Sequence, residues 1–91
     1  MLVDKDIDVN GSSLQGFVFT DYQHLIDKLG EPVISDGDKT DAEWVIKFDD
    51  GTVATVYSYS GMPANRTRDW HVGGYNKKAV ENVCRLLGVT L

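Results

Sequence analysis

The chain has 91 residues, of which 42% are hydrophobic and 25% charged, and its formal net charge at pH 7 is -5. This length predicts a single domain, residues 1–91, with a modest core. The acidic balance argues against a general nucleic-acid binder, and no apolar run reaches the roughly 18 residues of a membrane span. The single cysteine and the acidic segment 1–8, which is unlike a signal peptide, predict a cytoplasmic protein.

The pattern of residues 2–19 predicts two strands. In Leu2–Val9, the residues Val3, Lys5, Ile7 and Val9 alternate with three aspartates, as in a strand with one solvent face. Asn10-Gly11 predicts a turn, and Leu14–Phe19 predicts a return strand.

The same segment has the spacing that opens a calcium-binding EF-hand loop, at Asp6, Asp8, Asn10 and Gly11. The twelfth position of that loop is Phe17 instead of a bidentate glutamate, and no helix precedes it. An acidic strand and turn is therefore the preferred interpretation.

The first helix is predicted over Thr20–Leu29, with a capping box formed by Thr20 and Gln23. Gly30 ends it, and His24 lies off its apolar face and is expected to be solvated. The apolar face comprises Tyr22, Leu25, Ile26 and Leu29.

A hairpin is the strongest signal in the chain. Two β-branched and aromatic runs, 43–49 and 52–59, flank Asp50-Gly51. A two-residue turn at this dipeptide places Phe48 opposite Val53 and fixes the register of the remaining pairs. The predicted core face then comprises Trp44, Ile46, Phe48, Val53, Thr55 and Tyr57.

A third strand, Asp69–Val72, directs Trp70 and His71 to opposite sides of the sheet. The second helix is predicted over Asn76–Leu87, with Asn76 as N-cap and Gly88 as its end. Its apolar stripe contains Val80, Val83, Cys84 and Leu87, so Cys84 is expected to be a buried hydrophobe and not a nucleophile.

These elements predict an α+β fold: an antiparallel β-sheet with two amphipathic helices packed on one face, in the order β-β-α-β-β-β-α.

No catalytic signature is present. Neither histidine stands in a pattern with a serine or cysteine nucleophile, and no His, Cys or carboxylate set has the spacing of a metal site. The acidic loop Ser35–Asp41, together with Glu43, could gather around a hard cation, but a solvated loop is the preferred interpretation. We therefore predict a protein that is not an enzyme and needs no cofactor or metal.

The charge is uneven along the chain. Residues 1–50 hold twelve acids and four bases, whereas residues 51–91 hold two acids and five bases. The basic half surrounds a Gly-Gly pair between the third strand and the second helix, where free N–H groups and a helix dipole could receive a phosphate. The predicted ligand-binding residues are Arg66, Arg68, Trp70, His71, Gly73, Gly74, Tyr75, Lys77, Tyr57 and Tyr59. The alternative for the aromatic residues is that they are simply core.

Several motifs together resemble a family of small proteins encoded by bacteriophages and some other viruses. They are Asn-Gly-Ser-Ser-Leu-Gln-Gly (10–16), the Leu-Gly-Glu-Pro helix end (29–32), Asp-Ala-Glu-Trp (41–44), Asp-Gly-Thr-Val-Ala-Thr-Val-Tyr (50–57) and Trp-His-Val-Gly-Gly (70–74). The helix, Leu-Gly-x-Pro and Asp-Gly hairpin are also similar, locally, to β-lactamase-inhibitor-like repeats, which bind other proteins through the open face of their sheet. The viral resemblance implies a protein that acts on its host by binding.

Two functions are consistent with that implication. In the first, the protein counters host defence by sequestering an anionic nucleotide-type immune signal, a cyclic oligonucleotide or an ADP-ribose derivative. In the second, it docks on a host defence or nucleic-acid-processing protein through its acidic half or open sheet face. The basic cluster at 66–78 favours the first and the acidic half favours the second. Because a chain of this length encloses little volume alone, a nucleotide binder is expected to form a homo-oligomer.

Overall fold

The fold is an antiparallel sheet backed by two helices. The computed structural model describes residues 1–34, 42–58 and 66–89. Its elements in chain order are β1 (Leu2–Val3), β2 (Ser13–Phe19), α1 (Tyr22–Leu29), β3 (Val33–Ile34), β4 (Ala42–Lys47), β5 (Val53–Tyr57), β6 (Asp69–Gly74) and α2 (Lys78–Leu87). The predicted fold class and element order are confirmed, and the two-residue strand β3 is an addition to them.

The order of the strands across the sheet is β1-β4-β5-β6-β2, with β3 also paired to β4. The predicted strand Leu2–Val9 is therefore wrong beyond Val3, and β2 returns against β6 instead of β1. Asp4 and Asp8 explain the early end, because their carboxylates accept the N–H groups of the residues two positions later, at 2.9 Å each. Such local turns compete with a strand ladder.

The β4–β5 hairpin has a three-residue loop and not the predicted two-residue turn. The N–H of Phe48 donates to the carbonyl of Thr52 at 2.8 Å, and Gly51 in the loop has φ 91°. This loop is typical of a type I turn followed by a left-handed glycine. It shifts the register by one residue, so that Trp44 faces Val56 and not Tyr57.

The shift reverses the predicted face of β5, because side chains alternate along a strand. Ala54 and Val56 lie in the core, whereas Thr55 and Tyr57 lie on the opposite face. The prediction for β6 is confirmed: Trp70 and Val72 lie in the core, and His71 is on the opposite face.

Helix α1 begins at Tyr22, and its N-cap is Asp21 instead of the predicted Thr20. The Asp21 carboxylate accepts the N–H of His24 at 2.8 Å. The His24 side chain is half-buried, in contrast to its predicted solvation, because its Nε2 donates to the carbonyl of Leu87 at 2.7 Å. This bond ties α1 to the end of α2.

Helix α2 begins at Lys78, two residues later than predicted. Lys77 precedes it without a side-chain cap, and the amide oxygen of Asn76 accepts the N–H of Lys78 at 2.9 Å. Gly88 ends the helix in the left-handed region, as predicted. Cys84 is buried in the apolar stripe, also as predicted, and burial raises the pKa of its thiol.

The core lies between the sheet and the helices. Trp44 and Trp70 meet edge to face with ring centroids 5.5 Å apart, and Tyr22 stacks on Trp70. The remaining buried apolar residues of this cluster are Val18, Leu25, Leu29, Ala42, Ile46, Ala54, Val56, Val72, Ala79, Val80, Val83, Cys84 and Leu87.

Gly74 allows α2 to approach β6 closely. A Cβ at this position would lie 2.5 Å from the Cβ of Ala79 and 3.0 Å from the carbonyl oxygen of Val53. Neither atom sits at the end of a flexible side chain, so the helix would have to move.

We expect Gly74→Ala to lower the free energy of unfolding by about 1–3 kcal/mol, the usual range for overpacking. Ala79→Gly alone should cost about 1 kcal/mol through helix propensity. In the double variant the two costs should be less than additive, because the glycine at 79 removes the clash. Denaturant unfolding of all four proteins measures this coupling, and strict additivity would contradict the proposed packing role.

Candidate functional site

The face of the sheet opposite the helices carries a row of aromatic and titratable side chains. Cross-strand pairing aligns Phe17 of β2, His71 of β6, Tyr57 of β5 and Glu43 of β4. The Phe17 ring meets the His71 ring edge to face at 4.9 Å between centroids, and Tyr57 stacks on the other side of His71 at 5.2 Å. We call this face the open face, because both helices pack on the other one.

The open face exposes large apolar side chains. Phe17 is 49% exposed and Phe19, two residues along β2, is 73% exposed. Leu14 lies in a second row, opposite Gly73, and is 48% exposed. Contiguous exposed apolar residues are typical of interaction surfaces, whereas single ones are common anywhere on a protein.

In this second row, position 73 has no space for a side chain. Gly73 pairs with Thr55, and a Cβ at Gly73 would lie 2.5 Å from the Thr55 hydroxyl oxygen. It would also lie 3.7 Å from the Tyr57 ring. The missing side chain therefore leaves the space beside which Tyr57 packs.

Two titratable groups of the open face, Glu43 and Tyr57, have pKa values above their ordinary ones. Burial raises the pKa of Glu43 above its usual value. Burial is also the main cause of the raised pKa of Tyr57, and the nearby Glu43 carboxylate adds to it. Tyr57 therefore keeps its phenolic proton near neutral pH and can act as a hydrogen-bond donor.

The predicted phosphate-binding turn is not formed by the Gly-Gly pair. Gly73 and Gly74 lie inside β6, where they pair with β5 on one side and β2 on the other. Their backbone groups and the space around them are used by the sheet and by α2. Trp70 lies on the helix side, fully buried, and its indole N–H donates to the carbonyl of Thr20 at 3.1 Å.

The basic side chains predicted to bind the ligand lie at opposite ends of β6. Arg66 and Arg68 are exposed before this strand, and an Arg68 guanidinium nitrogen is 3.8 Å from an Asp21 carboxylate oxygen. Lys77 follows the strand, and its ammonium donates to the Gln15 carbonyl at 2.5 Å. At about 3.4 Å per residue, Asp69 and Gly74 alone are about 17 Å apart.

Two other predicted ligand residues also lie away from a common site. Tyr75 follows β6, and its hydroxyl donates to the Asn10 carbonyl at 2.8 Å. Tyr59 lies outside the described residues. Of the ten predicted residues, the structure brings together His71, Tyr57 and Gly73, and nucleotide binding by the wider set stays a prediction.

Phe17, Phe19 and Leu14 were not predicted to be surface residues. The sequence does indicate an apolar surface here, because Phe17, Val18 and Phe19 are consecutive and the side chains of a strand cannot all face one core. A strand that is apolar on both faces indicates that both faces meet something. The mispredicted register of β5 hid the partner residue Tyr57 on the same face.

The described residues contain no group of three or more His, Cys, Asp or Glu that could hold a metal ion. Asp36, Asp38 and Asp41 of the predicted acidic loop fall outside the described part of the chain, and Glu43 projects from β4 onto the open face. Among the described helices, none is long and apolar enough to cross a membrane.

A pocket of about 340 Å³ lies between the β4–β5 loop and α2. Its central carboxylate, Asp50, accepts the N–H of Thr52 at 2.9 Å and the Asn82 amide at 3.1 Å, and it pairs with Lys78 at 3.4 Å. These hydrogen bonds, that from Thr52 first, hold the pKa of Asp50 well below its usual range. The role of Asp50 is therefore structural: it attaches the β4–β5 loop to α2.

Glu43→Gln should change how stability depends on pH. Because the pKa of Glu43 is raised in the folded state, the folded protein retains this proton to a higher pH than the unfolded chain does. The wild type should therefore lose stability, relative to the variant, as the pH rises through and just above the ordinary glutamate range, from about pH 4.

Thermal unfolding of both proteins from pH 3 to pH 7 measures this effect, with Glu81→Gln on the exposed side of α2 as control for net charge. Parallel stability curves for wild type and Glu43→Gln would show that the environment of Glu43 does not disfavour its charge.

Comparisons with known proteins give no relative on which to base a function. No protein-family model matches the chain, and neither the curated proteins nor the solved structures provide a match.

Proposed function

We propose that this chain is a non-catalytic binding protein that docks on another protein through the open face of its sheet. The observation that carries the proposal is the Phe17–His71–Tyr57 row, which stands with the exposed Phe19 on the side of the sheet without helices. Aromatic side chains dominate the energetics of protein interfaces because each buries a large apolar area at a small entropic cost.

The charge of the chain indicates the chemistry of the partner. The net charge is -5, and residues 1–50 carry twelve acids against four bases. Glu43 and Asp69 project onto the open face, and Asp49 is exposed at the hairpin loop. A partner with an apolar patch surrounded by basic side chains would fit this surface and would be attracted to it over a distance.

Proteins that process nucleic acids carry basic surfaces of this kind. The resemblance to small phage-encoded proteins supports a partner in the bacterial host, such as a defence or nucleic-acid-processing protein in the cytoplasm. The acidic half of the chain would then occupy the place of a phosphate backbone.

Sequestration of an anionic nucleotide is the competing function. It requires the arginines, Lys77 and the glycines to act on one ligand, and β6 holds the two groups of cations at its opposite ends. Docking through the open face requires only residues that the sheet already aligns. This difference favours the protein partner.

We expect Phe17→Lys to weaken binding to the host partner strongly while leaving the fold intact. Phe17 is half-exposed, and its replacement puts a cation at the end of the aromatic row, beside His71. Loss of an interface aromatic costs about 2 kcal/mol or more, which is about 30-fold in the dissociation constant. The experiment is affinity capture from host lysate, followed by a titration with the purified partner.

The matched control is Gln23→Lys, which changes the charge equally on the exposed surface of α1. Capture by wild type and Gln23→Lys but not by Phe17→Lys supports the proposal. Equal capture by all three would contradict it. A rise in melting temperature with cyclic nucleotides or ADP-ribose, lost in Arg68→Ala, would instead establish the nucleotide function.

A further inference from the structure

Strand β2 forms one end of the sheet and leaves one of its edges unpaired within the described residues. The N–H of Thr20 donates to the carbonyl of Arg68 beside β6, at 2.9 Å. Backbone groups in an antiparallel pair point alternately toward and away from the neighbouring strand. The N–H and C=O groups of Val18 therefore face β6, and those of Phe17 and Phe19 point to the free edge.

At its start this edge has two common protections against further pairing, the bulge between Leu14 and Gly16 and the Lys77 ammonium on the Gln15 carbonyl, but residues 16–19 have neither. The segment 9–20 contains no charged residue and no proline, although residues 1–50 otherwise carry sixteen charges. The opposite side of the sheet ends in β1 and β3, which have only two residues each. Beyond the bulge, residues 16–19 of β2 form an uncharged edge with exposed aromatic side chains, which is a template for another strand.

We propose that β2 pairs with β2 of a second copy of this chain, antiparallel and about a two-fold axis. The pairing that uses the outward groups places Phe17 of each copy opposite Phe19 of the other, and Val18 opposite Val18. Each Phe17–Phe19 pair exchanges both of its backbone hydrogen bonds, and the rings stand together on the open face. One sheet then runs through both copies.

Charge complementarity at the ends of β2 selects a second copy as the occupant. The same register brings Gln15 of one copy opposite Asp21 of the other. The Lys77 ammonium rests on the Gln15 carbonyl, at 2.5 Å, and the Asp21 side chain is 53% exposed. Each lysine is thereby placed beside an aspartate of the other copy, and the two-fold axis forms this contact twice.

These contacts offset part of the repulsion between two chains of net charge -5. The dimer goes beyond the proposed function, because it uses the edge of the sheet, whereas docking uses the face. It would also enlarge that face, since four phenylalanine rings from two copies become neighbours.

Sedimentation velocity over a range of concentrations tests the dimer against the 10.1 kDa monomer. We expect a reversible monomer–dimer equilibrium in the wild type. Phe19→Lys should raise the dissociation constant by about 30-fold, because it removes both aromatic cross-strand pairs and places a charge on the edge. Val33→Lys, at an exposed position on the other side of the sheet, should leave the equilibrium unchanged.

Amide hydrogen exchange tests the pairing residue by residue. The amides of Phe17 and Phe19 should be protected at concentrations where the dimer forms and should exchange rapidly in Phe19→Lys. The amide of Val18, which faces β6, should be protected in both proteins. Circular dichroism verifies that the variant is folded.

The end charges are tested by Asp21→Asn and Lys77→Gln, since asparagine retains the helix cap. Each single change should raise the dissociation constant by about fivefold, and the double variant should be no weaker than either single variant.

A wild type that remains monomeric, or a dimer that Phe19→Lys leaves intact, would overturn the inference. So would protection of Phe17 and Phe19 by a different protein while the chain itself stays monomeric. A monomer that still captures a host partner through Phe17 leaves the proposed function standing, and a dimer without a partner overturns only that function.

Discussion

Two tryptophan side chains hold the layers of this protein together, and most of the structure depends on them. The Trp44 indole N–H donates to the carbonyl of Gly30 at 2.9 Å, and the Trp70 indole N–H donates to the carbonyl of Thr20 at 3.1 Å. These acceptors flank α1, so the sheet fixes both ends of an eight-residue helix that would be marginal alone. The rings pack against each other and satisfy their only polar group, which allows both to be buried.

The loop between β4 and β5 determines which side chains of β5 lie on the open face. One additional residue in this loop moves Tyr57 from the core to the open face, beside His71. Asp50 fixes the loop by accepting from Thr52 and Asn82, so the hairpin is also tied to α2. A buried asparagine of α2 thus helps to hold the loop that sets the register of the open face.

The open face and the β2 edge share the same residues, which gives them related roles. Phe17 directs its ring to the face and its backbone to the edge, and Phe19 does the same. A dimer formed at the edge would therefore present a doubled aromatic surface to a partner. Burial raises the pKa of both Glu43 and Tyr57 on this surface.

The sequence by itself determined the α+β class, the order of the elements, the apolar faces of both helices and the opposite orientations of Trp70 and His71. These features follow from local periodicity and from residues such as Gly30 and Gly88 that end helices. Tertiary structure decided the β5 register, the pairing of β2 with β6, and the burial of Gly73 and Gly74 inside a strand. The last two depend on contacts between residues far apart in the chain, and the register depends on a loop that Asp50 ties to Asn82 of α2. A glycine that provides space for Ala79 has the same sequence signal as one that bends a turn.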